Sequence, residues 1–278
     1  MSEFWQALQD YPFLRNALIA GLLTSVACGI VGPYVVVRRI GYLGGGIAHA
    51  VFGGLGLVHW ANTVHGTSIH PLLGATAFAL LAALLIGWID LSGKRSADTA
   101  IGALWAVGMA VGLLFLARTP GYALDLTSYL FGNILMVDHS DLVLICILDL
   151  CIIVVGGLGY RRLVTVCFDQ RLAAMQGQNV PALSLLLLVL VALTVVALVR
   201  IVGLILVIAL LSLPAAIVLP FVGSMFGAMM LAIVLGALFT TSGLAASFVF
   251  DLPTGAVIIL LAGLVYFLSL GLARWTKR

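Results

Sequence analysis

Nine predominantly apolar runs, each about long enough to cross a bilayer, follow one another along this chain with only short polar breaks. Crossing ~30 Å of hydrocarbon takes roughly 20 helical residues at 1.5 Å each, and somewhat fewer where the bilayer thins. The runs are Ala17–Val37, Leu43–Trp60, Pro71–Ile89, Ala100–Ala117, Leu142–Leu158, Ala182–Val199, Gly203–Phe221, Gly223–Phe239 and Gly255–Leu272. In lipid every backbone N–H and C=O must be satisfied within the protein, so runs of this length form helices rather than strands. With 8% charged residues against 63% hydrophobic, the composition excludes a soluble globule, a disordered chain and a basic nucleic-acid surface. The expected fold is all-α, a polytopic membrane bundle of about eight to nine transmembrane helices, with residues 1–278 as one integral domain.

The basic residues set the orientation, because lysine and arginine accumulate on the cytoplasmic side. With nine crossings and the N-terminus outside, the inner segments hold Arg38, Arg39, Lys94, Arg95, Arg161, Arg162, Arg171, Arg274, Lys277 and Arg278. Only Arg15, Arg118 and Arg200 fall outside. The C-terminus is therefore cytoplasmic. Pro214 and Pro220 interrupt the seventh run and Arg200 nearly abuts it, so an even-numbered variant with one run re-entering is the alternative. The first fourteen residues lack a basic stretch and a cleavage site, so no removable signal peptide is expected. Glycine pairs four apart at Gly41/Gly45, Gly108/Gly112 and Gly223/Gly227 suit close helix approach. Cys28, Cys146, Cys151 and Cys167 have no disulfide-like spacing and read as small hydrophobes.

Ionisable side chains inside apolar runs cost about 2.5–3.5 kcal/mol at the membrane centre, so they face a cavity or a partner. His49 lies in the second run and Asp149 in the fifth. At 1.5 Å per residue they sit about 10 Å from the inner edge and about 11 Å from the outer edge respectively. Imidazole with carboxylate suits transient binding of a divalent transition metal. The alternatives are a neutral histidine bonded to a carbonyl and an aspartate paired with Arg200 or Arg118. At the outer mouth, His59, His65 and His70 fall within twelve residues and are candidates for collecting cations, or else ordinary surface histidines. The Asp138–His139–Ser140–Asp141 cluster opens the fifth run, either attracting cations or capping the helix.

No energy source is visible. The nearest approach to a phosphate-binding loop, GWIDLSGKRS at Gly87–Ser96, has the wrong glycine spacing and places Arg95 where Ser or Thr is required. ATP-driven transport would need a second polypeptide. The inner segment Arg161–Val180 is long enough to hold a short helix on the membrane face. A gradient-driven cation transporter using Asp149 is the competing class, although no internal repeat supports it. An intramembrane enzyme is a third, without HExxH or GxSxG to support it.

Five strings in order, RRIGYLGGGIAHAVFGGLGL at Arg38–Leu57, SYLFGNIL at Ser128–Leu135, CFDQRLAAMQG at Cys167–Gly177, VGLILVIALLSLPAA at Val202–Ala216 and FDLPTGAVIILLA at Phe250–Ala262, together resemble the integral permeases of ABC-type metal importers, the ABC-3 type. The resemblance implies a helical bundle of the type II importer kind in the cell membrane. It also implies a homodimer with two cytoplasmic ATPases and an extracellular metal-binding protein. The cargo it implies is zinc first and manganese second, with no permanently bound cofactor. Phe168–Gly177, including Asp169, Arg171 and Ala173, becomes the ATPase coupling element, and His49 matches the family's translocation-path histidine. One departure matters: many members carry an aspartate four residues before that histidine, where this chain has Gly45.

Overall fold

Helix starts are written into the sequence by proline and by short polar caps. Pro12 and Pro181 occupy first-turn positions, where a missing N–H costs nothing, and Pro71 begins a third helix. Asp138, Asp169, Asn179 and Ser224 each accept a hydrogen bond from an otherwise orphaned first-turn N–H. The computed structural model describes residues 2–91, 97–120 and 137–275. Its helices are α1 (Ser2–Asp10), α2 (Pro12–Val37), α3 (Gly41–His65), α4 (Pro71–Leu91), α5 (Ala97–Ala117), α6 (His139–Leu158), α7 (Tyr160–Phe168), α8 (Gln170–Met175), α9 (Val180–Val218), α10 (Met225–Phe250) and α11 (Thr254–Trp275). Lys94, Arg95 and the Ser128–Leu135 string lie outside the described residues.

Among the described residues, seven helices are long and apolar enough to cross a membrane. The fourth and seventh runs appear as the shorter apolar helices Ile101–Ala117 and Val207–Phe221. The expected eight to nine spans thus become seven full-length helices and two short ones. The sixth and seventh runs join in α9, which breaks at Gly203, whose φ of 75° and ψ of 172° are not helical. That break reverses the chain. Leu187 and Leu188 share a cavity wall with Arg38 and Leu43, and Leu211 touches the Gly44 position from the same end of α3. An unbroken helix would hold Leu188 and Leu211 about 35 Å apart. Glycine at 203 meets the positive φ that a side chain disfavours.

Two further differences lie at element ends. The eighth run continues as helix to Phe250, because Thr240, Thr241 and Ser242 return their hydroxyls to carbonyls one turn back and remain lipid-compatible. Before the first run, α1 forms an amphipathic helix that buries Phe4, Ala7 and Leu8, with Phe4 edge-on to Phe248 at 6.0 Å.

Small residues decide how the helices meet. A Cβ at Gly54 on α3 would collide with the backbone of Gly74 on α4, and one at Gly108 on α5 would lie 2.8 Å from the His49 carbonyl. Gly112 opposes Phe52 in the same way, so the Gly108/Gly112 pair is a true close approach between α3 and α5. Gly223, by contrast, faces open space, and Gly41 has only one distant neighbour. Between α2 and α10, Ser25 and Thr240 oppose their hydroxyls at 3.4 Å.

Gly54→Val should force α3 from α4 and destabilise the protein by about 1–3 kcal/mol. Gly102→Ala, inside α5 with nothing within 4 Å of its added Cβ, should cause no loss of stability. Thermal unfolding in detergent, followed by size-exclusion chromatography, compares the two.

Candidate translocation and coupling site

His49 lies on the face of α3 that meets α5, where close glycine contacts draw the two helices together. Its half-buried ring stacks on Trp105, with centroids 4.6 Å apart and planes at 25°. Its Nδ1 is buried and has no hydrogen-bond partner among the described residues. Gly45, one turn earlier, is what makes room. A Cβ there would approach Trp105 at 3.4 Å and Ile208 at 2.9 Å. The place next to His49 where a carboxylate would project from α3 is thus bordered by an indole and an aliphatic side chain.

Asp149 sits elsewhere. It is 3% exposed on α6, which packs against α2 and α9. Both its carboxylate oxygens are buried without a hydrogen-bond partner among the described residues. Arg118 is exposed, and the side chain of Arg200 lies outside the described residues. Neither a hydrogen bond nor an ion pair joins Asp149 to His49, whose helix packs against α4, α5 and α9.

The three histidines after the second run do not converge. His65, at the end of α3, meets the Trp60 edge at 4.9 Å, and His59 is half-buried one and a half turns earlier. His70 instead precedes α4 and reaches α6, with Nε2 3.6 Å from Asp141 Oδ1. Asp138 and Asp141 form a reciprocal capping box at the start of α6. The Asp141 N–H and the Ser140 hydroxyl hold the Asp138 carboxyl below the usual carboxylate range, and nearby His70 adds to this. The sequence singled out both motifs but held no signal that they meet.

At the opposite end of the bundle, α7 and α8 form a short helical pair. Gly159 joins α6 to α7, and Asp169 caps α8 by accepting from the N–H groups of Arg171 at 2.8 Å and Leu172 at 3.0 Å. Gly177 ends the pair with a φ of +74°. Ala173 is fully buried, whereas Phe168, Leu172 and Met175 are 66%, 43% and 80% exposed. Three large apolar side chains thus project from a pair that is not one of the membrane-length helices. Cys167 points the other way. Burial pushes its thiol up to about 11, partly offset by Arg38, whose guanidinium also donates to Ser184 Oγ at 2.9 Å and ties α2 to α9.

Residues 10–273 match the ABC 3 transport family, and the chain belongs to it. It is therefore a membrane-embedded transport subunit. A metal transport system membrane protein of Chlamydia muridarum is 38% identical over 263 residues, covering 95% of this chain and 90% of its own. The manganese import system permease protein ScaB of Streptococcus gordonii is 32% identical, covering 100% and 99%. Among solved structures, PsaBC from Streptococcus pneumoniae in complex with Fab superposes with a TM-score of 0.85 at 31% identity, over 96% of this chain and 94% of that one.

Because its pKa is raised, Cys167 is almost wholly neutral thiol at pH 8, and its thiolate accumulates only as pH approaches 11. In a variant keeping only this cysteine, alkylation of the folded protein should be slow at pH 8. Detergent unfolding should restore the ordinary rate, read by mass spectrometry.

Proposed function

We propose that this chain is the permease subunit of an ATP-driven importer that carries a divalent first-row metal past His49 into the cytoplasm. The observation that carries this reading is the α7–α8 pair, which presents Phe168, Leu172 and Met175 to the surroundings while Ala173 anchors it to the bundle. An exposed apolar cluster on a capped element, beside Arg161, Arg162 and Arg171, fits a docking face for a soluble ATPase at the cytoplasmic end. The positive-inside distribution supports that end as cytoplasmic, with the N-terminus outside.

The connections give the coupling a physical route. Push on α8 reaches α6 through α7 and Gly159, and reaches α9 through Gly177 and the Asn179 cap. Helix α9 in turn packs against α3, which carries His49. ATP binding by the companion would tilt these helices and open the path alternately to each side. A path must bind its ion weakly enough to release it. A half-buried imidazole with an unengaged Nδ1, next to an aromatic face, offers few ligands and suits that requirement.

The importer works as a homodimer with two ATPases and receives its cargo from a metal-binding protein outside; family membership and the similarity to ScaB and PsaBC support this. Manganese is the first cargo on this reading, since the related permease ScaB carries it in its name. Zinc is the second, favoured by Gly45: an imidazole lacking the neighbouring carboxylate suits zinc better than manganese. This reading gives His59, His65 and Asp149 no step of the path.

His49→Ala should cut metal-dependent uptake by about tenfold or more in cells expressing the complex, and undiminished uptake removes that residue from the path. Met175→Asp should leave the permease folded but weaken its ATPase complex by about tenfold, measured by co-purification. Unchanged ATPase retention would sink the docking assignment.

A further inference from the structure

We infer that His70, Asp138 and Asp141 form a binding site for a divalent first-row metal at the end of the bundle opposite α7 and α8, separate from His49. The sequence carries these residues in two unrelated motifs about seventy positions apart. The fold brings them together: one ligand atom from each lies within 4.8 Å of the other two.

The geometry is organised by the main chain. Asp138 Oδ1 accepts from the Asp141 N–H at 2.8 Å and from the Ser140 hydroxyl at 2.7 Å, and Asp141 Oδ2 accepts from the Asp138 N–H at 3.3 Å. These bonds orient both carboxylates at the start of α6. His70 comes from another element, at the start of α4. Its Nε2 stands 3.6 Å from Asp141 Oδ1 and 3.4 Å from Ser140 Oγ. Nε2 is the ring atom turned to the carboxylates; the N–H of Leu72 points at Nδ1 from 3.3 Å, an arrangement with the ring proton on Nε2, and ligation through Nε2 moves that proton to Nδ1 and releases this long contact.

Metal–nitrogen and metal–oxygen bonds of about 2.0–2.2 Å place ligands on one ion roughly 3–3.5 Å apart. The present spread closes on an ion with about an ångström of side-chain movement. One imidazole with two carboxylates is a mixed donor set suited to manganese or zinc, whereas magnesium and calcium prefer all-oxygen shells. Asp141 is 1% exposed, His70 is half-buried and Asp138 is exposed, so the site has a protein floor and a solvent side. Three ligands with an open side describe an exchangeable site rather than a closed structural one. Its occupancy is independent of the import reading; service as an entry point for cargo rests on it.

The test uses the full chain in lipid nanodiscs with Mn2+ as probe, in a His49→Ala background that removes the proposed path ligand. Free Mn2+ is titrated by electron paramagnetic resonance, and pulsed measurements report nitrogen coupling from imidazole on the bound ion. The expected result is a Mn2+ site with nitrogen coupling that persists in excess Mg2+. His70→Asn should abolish the coupling and weaken affinity by about tenfold or more. Asp138→Asn keeps the helix cap, since asparagine caps as well as aspartate, but should also weaken Mn2+ by removing a charged ligand. Absence of bound Mn2+ in the His49→Ala background overturns the proposal. So does unchanged affinity and coupling in His70→Asn, which would leave His70–Asp141 as a plain contact between α4 and α6. Loss of uptake in His49→Ala with the Mn2+ site intact would leave both readings standing, whereas intact uptake would remove only the path assignment.

Discussion

A peptide group in hydrocarbon without an internal hydrogen bond costs several kcal/mol, and that one constraint organises this protein. It makes each apolar run a helix, then removes the force that usually brings helices together, since lipid tails are as apolar as leucine. Association must come from close packing. Backbone-to-backbone contact at Gly54–Gly74, and Gly108 and Gly112 against α3, holds α3, α4 and α5 as one unit. His49 is carried on that unit, so packing by missing side chains and the placement of a polar side chain are the same event.

The polar residues within the helices divide by how they satisfy themselves. Thr24, Ser25 and Thr240 return their hydroxyls to carbonyls of the preceding turn, and Ser25 and Thr240 also meet across α2 and α10. These cost little. His49 Nδ1 and both oxygens of Asp149 have no such partner. His49 keeps an aromatic neighbour and partial exposure, which suits a surface along a path. Asp149 is 3% exposed on α6, which packs against α2 and α9, so its burial has a different setting and nothing in the geometry assigns it a task.

Gly45 links sequence and function most directly. Read along the chain, it is a departure from a family pattern, a missing carboxylate one turn before a histidine. In space, its missing side chain borders Trp105 and Ile208, and Trp105 stacks on His49. Glycine at this position therefore leaves an indole face close to the place where an anionic ligand would stand.

The linear pattern determined the helical class, the order of the membrane segments, the cap at Asp138, and family membership through five ordered strings. Each depends on interactions among residues close in sequence, or on hydropathy summed along a run, and both are written locally. Hydropathy separated the sixth and seventh runs, and only the tertiary structure showed that a single glycine, Gly203, makes the turn between them inside α9, because a backbone angle is invisible to hydropathy. The tertiary structure also paired His49 with Trp105 rather than Asp149, and drew His70 away from His59 and His65 toward Asp138 and Asp141. Those pairings follow from which helices pack side by side. Packing in lipid is set by the fit of small residues across interfaces, a matching between distant segments that no single stretch of chain contains.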